Sequence, residues 1–161
     1  MWSTLFETIR RCQQIVNILK ETKESTMGTR GLITIITKKR ITAVYNYFDS
    51  YPTALGTTLV EEIRNYLKIM TVQDLAEKLY NLKVVTKETE PPTDIKNLET
   101  WTLSKIIDCG YIFDSNQRGY NIFIEYNYIL DFDNEKFSVE PLDLVFPLSE
   151  ILPVTDWIDH M

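Results

Sequence analysis

With 161 residues, 44% of them hydrophobic and 25% charged, the chain suffices for one domain with a real core and is too short for a second independent one. A formal net charge of −6 argues against a nucleic acid or an anionic membrane as a partner recognised by bulk charge. No apolar run is long enough to span a bilayer, and no stretch is both long and polar enough to stay disordered.

The first predicted element is an amphipathic helix over roughly residues 3–22, in which Leu5, Ile9, Cys12, Val16 and Leu19 follow a four-three spacing and Ser3 supplies an N-cap. Charged residues interrupt its apolar pattern, which excludes a secretory core. Residues 1–26 are thus an N-terminal helix and polar linker, and residues 27–161 a single α+β domain. The helix either packs on its own domain or docks on a protein partner or a second copy of the chain.

The period then changes. Leu32, Ile33, Ile35 and Ile36 form an apolar, largely β-branched run, Lys38-Lys39-Arg40 a turn, and Thr42 to Phe48 an alternating strand, together a hairpin. The basic turn is expected to be solvated, with phosphate binding the lesser reading. "YNYFDSYPTALGTT", Tyr45 to Thr58, then leads from strand to helix, Pro52 fixing φ and Gly56 relaxing it. Thr58 and Glu61 fit a capping box for a helix carrying Leu59, Ile63, Tyr66 and Leu67, and Thr71 caps a second with Val72, Leu75, Leu79 and Leu82.

After a charged, Pro-containing connection, "DIKNLETWTLSKIIDCG" reads as a helix that Gly110 stops. A long alternating strand from Asn121 to Leu130 follows, then a turn at "DFDNEK", a returning strand "FSVE", and a short helix or irregular tail. Helices and strands fall in blocks, so the expected fold is an antiparallel sheet with helices packed on one face, preceded by the amphipathic helix.

Few residues carry chemistry. There is no glycine-rich phosphate loop, and two cysteines without CxxC and a single histidine, His160, exclude a zinc site of Cys/His type. Cys12 and Cys109 could form one disulfide, but read better as free thiols of a reducing compartment. Asp131 and Asp133 have the spacing of oxygen ligands, but a turn accounts for them better. The Tyr/Asn interleaving of "YNIFIEYNY" lacks the basic groove that single-stranded nucleic acid needs. Neither a metal nor a cofactor is expected. The corner at Asp49, Ser50 and Tyr51 is the remaining candidate, because its hydrogen-bonding capacity exceeds what a turn requires.

"MGTRGLITI" from Met27, "YNYFDSYPTALG" and "EYNYILDFDNEKFSVE" resemble a widespread, largely uncharacterised group of small proteins of fungi, phages and large DNA viruses. Its members open with Met-Cys/Gly-Thr-Arg-Gly/Ser-Leu and carry an Asp-Ser/Gly-Tyr-Pro-x-x-x-Gly block. The resemblance spans residues 27–140 and implies that the N-terminal helix is an addition, with Met27 an alternative start. It implies Thr29, Arg30, Asp49 and Tyr51 as site residues beside Ser50, with Pro52 and Gly56 matching the same block. The expected function is a non-enzymatic binding or assembly module of viral origin, intracellular in the host cytoplasm or virion. The alternative is an amidohydrolase-like enzyme with Thr29 as N-terminal nucleophile after processing, which requires the nucleophile's own α-amine as base.

Overall fold

The computed structural model describes residues 29–86, 88, 100–118 and 123–160, without the side chains of 117 and 118. The expected N-terminal helix, its contacts and the boundary at residue 27 lie outside the described residues.

Strands β1 (Gly31–Thr37) and β2 (Arg40–Asn46) form the expected hairpin. A single π-helical turn, Pro52–Gly56, runs directly into helix α1 (Thr57–Ile69), and α2 (Val72–Tyr80) follows. Next come β3 (Lys83–Val85), α3 (Leu103–Cys109), β4 (Tyr111–Phe113) and α4 (Ser115–Arg118). Strands β5 (Tyr126–Asp131), β6 (Lys136–Glu140) and β7 (Leu144–Pro147) complete the sheet, and the 3₁₀ turns Leu148–Glu150 and Val154–His160 end the described chain.

The main sheet has the order β2-β1-β5-β6-β7 and is mostly antiparallel, with one departure from expectation: β5 runs parallel to β1. Parallel neighbours need a long crossover, and the helical block provides it. The chain leaves the sheet after Asn46, opposite Gly31, and returns at Tyr126, also opposite Gly31. Exit and re-entry therefore share one end of the sheet. A second, two-stranded sheet pairs β3 and β4, also in parallel.

The register explains the core. Val44, Ile33, Tyr128, Val139 and Leu144 form one row across all five strands, and Thr42, Ile35, Leu130, Phe137 and Phe146 form the next. Both rows are buried. Apart from Thr42, they share one hydrophobic cluster with Leu59 and Ile63 of α1, Leu75 and Leu79 of α2, Leu103 and Ile106 of α3, and the C-terminal Trp157. Leu32, Ala43 and Tyr45, which alternate with these residues, belong to a separate small cluster.

Several local signals act as the sequence suggests. Thr71 and Asp74 make a reciprocal capping box at α2, and Gly110 closes α3 in the left-handed region at φ 81°. At α1 the expected Thr58/Glu61 box is not made. The chain arrives already helical, and the Thr57 amide finds the carbonyls of Pro52 and Ala54 instead.

The basic turn is more than a solvated loop. Lys38 and Lys39 both take positive φ, 47° and 64°, the geometry of a two-residue hairpin turn that follows strand twist. Their amides donate to the two carboxylate oxygens of Asp133, each at 2.7 Å. Arg40 is half-buried, donating to the carbonyls of Leu79 and Tyr80 at the end of α2 while its guanidinium lies over the Tyr80 ring.

Candidate functional site

The two sequence motifs meet at the sheet end where the chain exits and re-enters. The Ser50 amide donates to the Thr29 carbonyl at 3.2 Å. Both residues are buried, and Gly31 faces Ser50 so closely that a Cβ on Gly31 would lie 2.6 Å from the Ser50 Cβ. The Tyr128 hydroxyl donates to the Ser50 carbonyl at 2.7 Å. Downstream, the Asp49 carbonyl accepts from the Leu55 amide, and the Tyr51 carbonyl from the amides of Ala54 and Gly56. Pro52 opens the π-helical turn, where its missing N–H leaves no partner wanting. A Cβ on Gly56 would sit 3.3 Å from both Trp157 and Tyr128. Thr29, Gly31, Ser50, Pro52 and Gly56 therefore build the joint between β1 and the strand-to-helix corner.

Arg30 and Tyr51 point elsewhere. The Arg30 carbonyl accepts from the Glu125 amide at 2.9 Å, and its guanidinium lies 5.6 Å from the centre of the Phe123 ring. Among the described residues no hydrogen bond or ion pair joins Arg30 to Asp49. Burial raises the pKa of neighbouring Tyr45, against a smaller opposing effect of the Arg30 charge. Tyr51 is half-buried against the main core.

Asp49 is the exception within the corner. It takes φ 54°, is exposed, and its carboxylate makes no hydrogen bond or ion pair among the described residues. It lines a groove of about 230 Å³ together with Phe48, a residue that is 45% exposed, and Ala54, Leu55 and Thr58. Asn46, Thr100, Trp101, Thr102 and Lys105 line it too.

Two side chains fasten the Trp101 wall to the rest of the fold. The buried Asn46 carboxamide donates to the Trp101 carbonyl at 2.8 Å and accepts from the Trp101 amide. The Glu62 carboxylate, projecting from α1, accepts from the amides of Leu103 and Ser104 at 3.1 and 2.8 Å, satisfying the free donors at the start of α3. Lys105 turns its ammonium to the carbonyl and hydroxyl of Thr100, both at 3.4 Å. Asn46, Glu62 and Trp101 are not site candidates in the sequence, where nothing distinguishes them from other residues of strand, helix and loop.

The groups best suited to covalent or metal chemistry are committed elsewhere. The Cys109 thiol donates to the carbonyls of Ile106 and Tyr111, and burial raises its pKa, which disfavours the reactive thiolate. His160 packs edge-on against Phe146. Asp131 accepts from the amide and side chain of Asn134, while Asp133 holds the Lys38-Lys39 turn. Among the described residues no three side chains are grouped as metal ligands, and no helix is long and apolar enough to cross a membrane. Tyr126 and Tyr128 are buried in the core rather than presented as a stacking face. Comparison with known proteins gives no matching family model and no significant match among curated proteins or solved structures.

Proposed function

We propose that this protein is a non-enzymatic binding module whose groove beside Asp49 receives one side chain of a protein partner. The observation that carries this reading is the Asp49 carboxylate, which has no partner among the described residues and stands at φ 54° on the wall of the groove. A left-handed backbone costs least at glycine and is tolerated by aspartate and asparagine. The turn therefore accounts for the residue type but leaves the carboxylate itself unused, available to a ligand. Size supports a side chain over a cofactor, because the groove of about 230 Å³ falls below the roughly 300–1,000 Å³ of ordinary small-molecule sites. The forks at Asn46 and Glu62 hold the Trp101 wall in place before a partner arrives, which lowers the ordering cost of docking.

In this reading the module serves assembly in a virus-infected cell or virion, the setting that the motif resemblance implies, and the N-terminal amphipathic stretch offers a further contact. A hydrolytic role for Thr29 has no comparable support, since the residue is buried under the corner. A photo-reactive phenylalanine analogue at position 48 of the full chain, irradiated in extract of the cells that produce it, tests the groove. A discrete adduct is expected there, absent when the analogue replaces Val145, another exposed apolar residue, and absent from Asp49→Lys. Adducts that ignore the position of the probe exclude the groove as the docking surface.

A further inference from the structure

We infer that the side chain received by the groove is cationic, an arginine from a basic segment of the partner; this rests on the groove being the docking surface. Of the two charges lining it, Lys105 already has the carbonyl and hydroxyl of Thr100 as acceptors, whereas the Asp49 carboxylate has no donor among the described residues. Lys105 keeps its positive charge, so the ionic group still lacking any hydrogen-bond partner among the described residues is the Asp49 carboxylate. Beside it stands the half-exposed Phe48, whose ring face attracts a cation. A guanidinium matches both at once, since it is planar, stacks on an aromatic ring and offers a fork of donors to a carboxylate. The aliphatic stem of arginine meets Ala54, Leu55 and Trp101 on the way in. The chain uses this chemistry internally, for Arg40 combines carbonyl acceptors with the Tyr80 ring 4.6 Å away. A net charge of −6 steers a basic segment toward the surface and opposes an acidic one.

The test titrates the ¹⁵N-labelled full chain with N-acetyl-arginine methylamide and with the corresponding citrulline, norleucine and glutamate derivatives. The amides of Asp49, Leu55, Trp101 and Thr102 are expected to shift with the arginine derivative. Its affinity should exceed that for citrulline by about five-fold or more, the scale of one partly exposed charge pair with a cation–π contact. Asp49→Asn, whose remaining spectrum overlays the wild type, should abolish that preference, and raised salt should weaken it. If citrulline or glutamate binds the groove as well as arginine, the cationic occupant is overturned while the groove survives as a binding surface. If no derivative moves the groove amides, the docking reading itself fails and this inference with it.

Discussion

The side-chain amide of Asn46 pairs with the backbone of Trp101 as one strand residue pairs with another, donating to its carbonyl at 2.8 Å and accepting from its amide across 55 residues of sequence. Asn46 is the last residue of β2, so the pairing continues the sheet's hydrogen bonding one step past its edge. Asn46→Asp keeps the acceptor but places a carboxylate oxygen against the Trp101 carbonyl, and Asn46→Ala leaves both backbone groups of Trp101 without this partner. Each buried group so stranded costs about 1–3 kcal/mol. Both variants are expected to lower the urea midpoint at unchanged slope, the aspartate more at neutral than at acid pH. Equal midpoints for wild type and alanine variant would mean that water replaces the pair.

A second pair is steric. A Cβ on Gly31 would fall 2.6 Å from the Ser50 Cβ, and Ser50 cannot withdraw, because its amide and carbonyl are bonded to Thr29 and Tyr128. Gly31→Ala is therefore expected to cost about 1–3 kcal/mol through overpacking. Ser50→Gly removes the obstructing atoms, so the double variant should recover much of that loss, with a coupling of about 1–2 kcal/mol in a double-mutant cycle. Additive losses would show that the two residues do not share one packing constraint.

These two pairs mark the limit of what the sequence alone discloses. The β1–β2 hairpin, α1, α2 and the Gly110 stop were legible because period, capping residues and turn residues are local properties. The corner was legible as a corner, since Pro52 acts on its own backbone, but the reason for Gly56 was not: it sits at an ordinary helical φ of −57° and is small because Trp157 and Tyr128 crowd it. The contact that makes Gly31 necessary was not legible either, because Ser50 lies on another segment. Among the described residues β5 starts at Tyr126, and Phe123 upstream of it takes φ 60°, a departure from extended backbone that side-chain alternation does not encode. Strand β7 lies between Pro141 and Pro147, which read as breakers in the sequence, and Pro147 is tolerated as the terminal residue of a strand at the sheet edge. The parallel β1–β5 pair depends on where a long crossover returns, which no window of sequence contains. Asn46 and Glu62 shape the groove through partners 55 and 41 residues away.

Tyr128 supplies a pH-dependent prediction. Burial raises its pKa well above the ordinary tyrosine value, and Tyr126 adds to the shift. The folded state therefore retains the proton where the unfolded chain releases it. The associated stability is fully present below the unfolded value of about 10 and declines as pH rises from there through the folded value. Tyr128→Phe removes the bond to the Ser50 carbonyl, costing about 1–2 kcal/mol at neutral pH. It should also flatten the loss of stability above about pH 10, measured as urea midpoints between neutral and alkaline buffers. A Phe variant that loses stability with wild-type steepness would assign the alkaline response to other groups.

Asp49 separates the requirements of the fold from those of the groove. Its carbonyl holds the Leu55 amide while its side chain makes no bond among the described residues, so the fold uses its backbone alone. Asparagine accepts the left-handed conformation at φ 54° about as readily as aspartate and glycine more readily. Asp49→Asn should thus leave the midpoint of unfolding within about 0.5 kcal/mol of wild type. Asp49→Gly should also stay close, because relief of the left-handed strain is offset by the greater freedom of glycine in the unfolded chain. Binding should respond differently: both variants lose the carboxylate, and both should fail to retain a basic peptide that the wild-type chain retains at low salt. Stability loss of about 2 kcal/mol or more in Asp49→Asn, beyond the ordinary range for an exposed surface substitution, would instead identify the carboxylate as part of the corner's own structure.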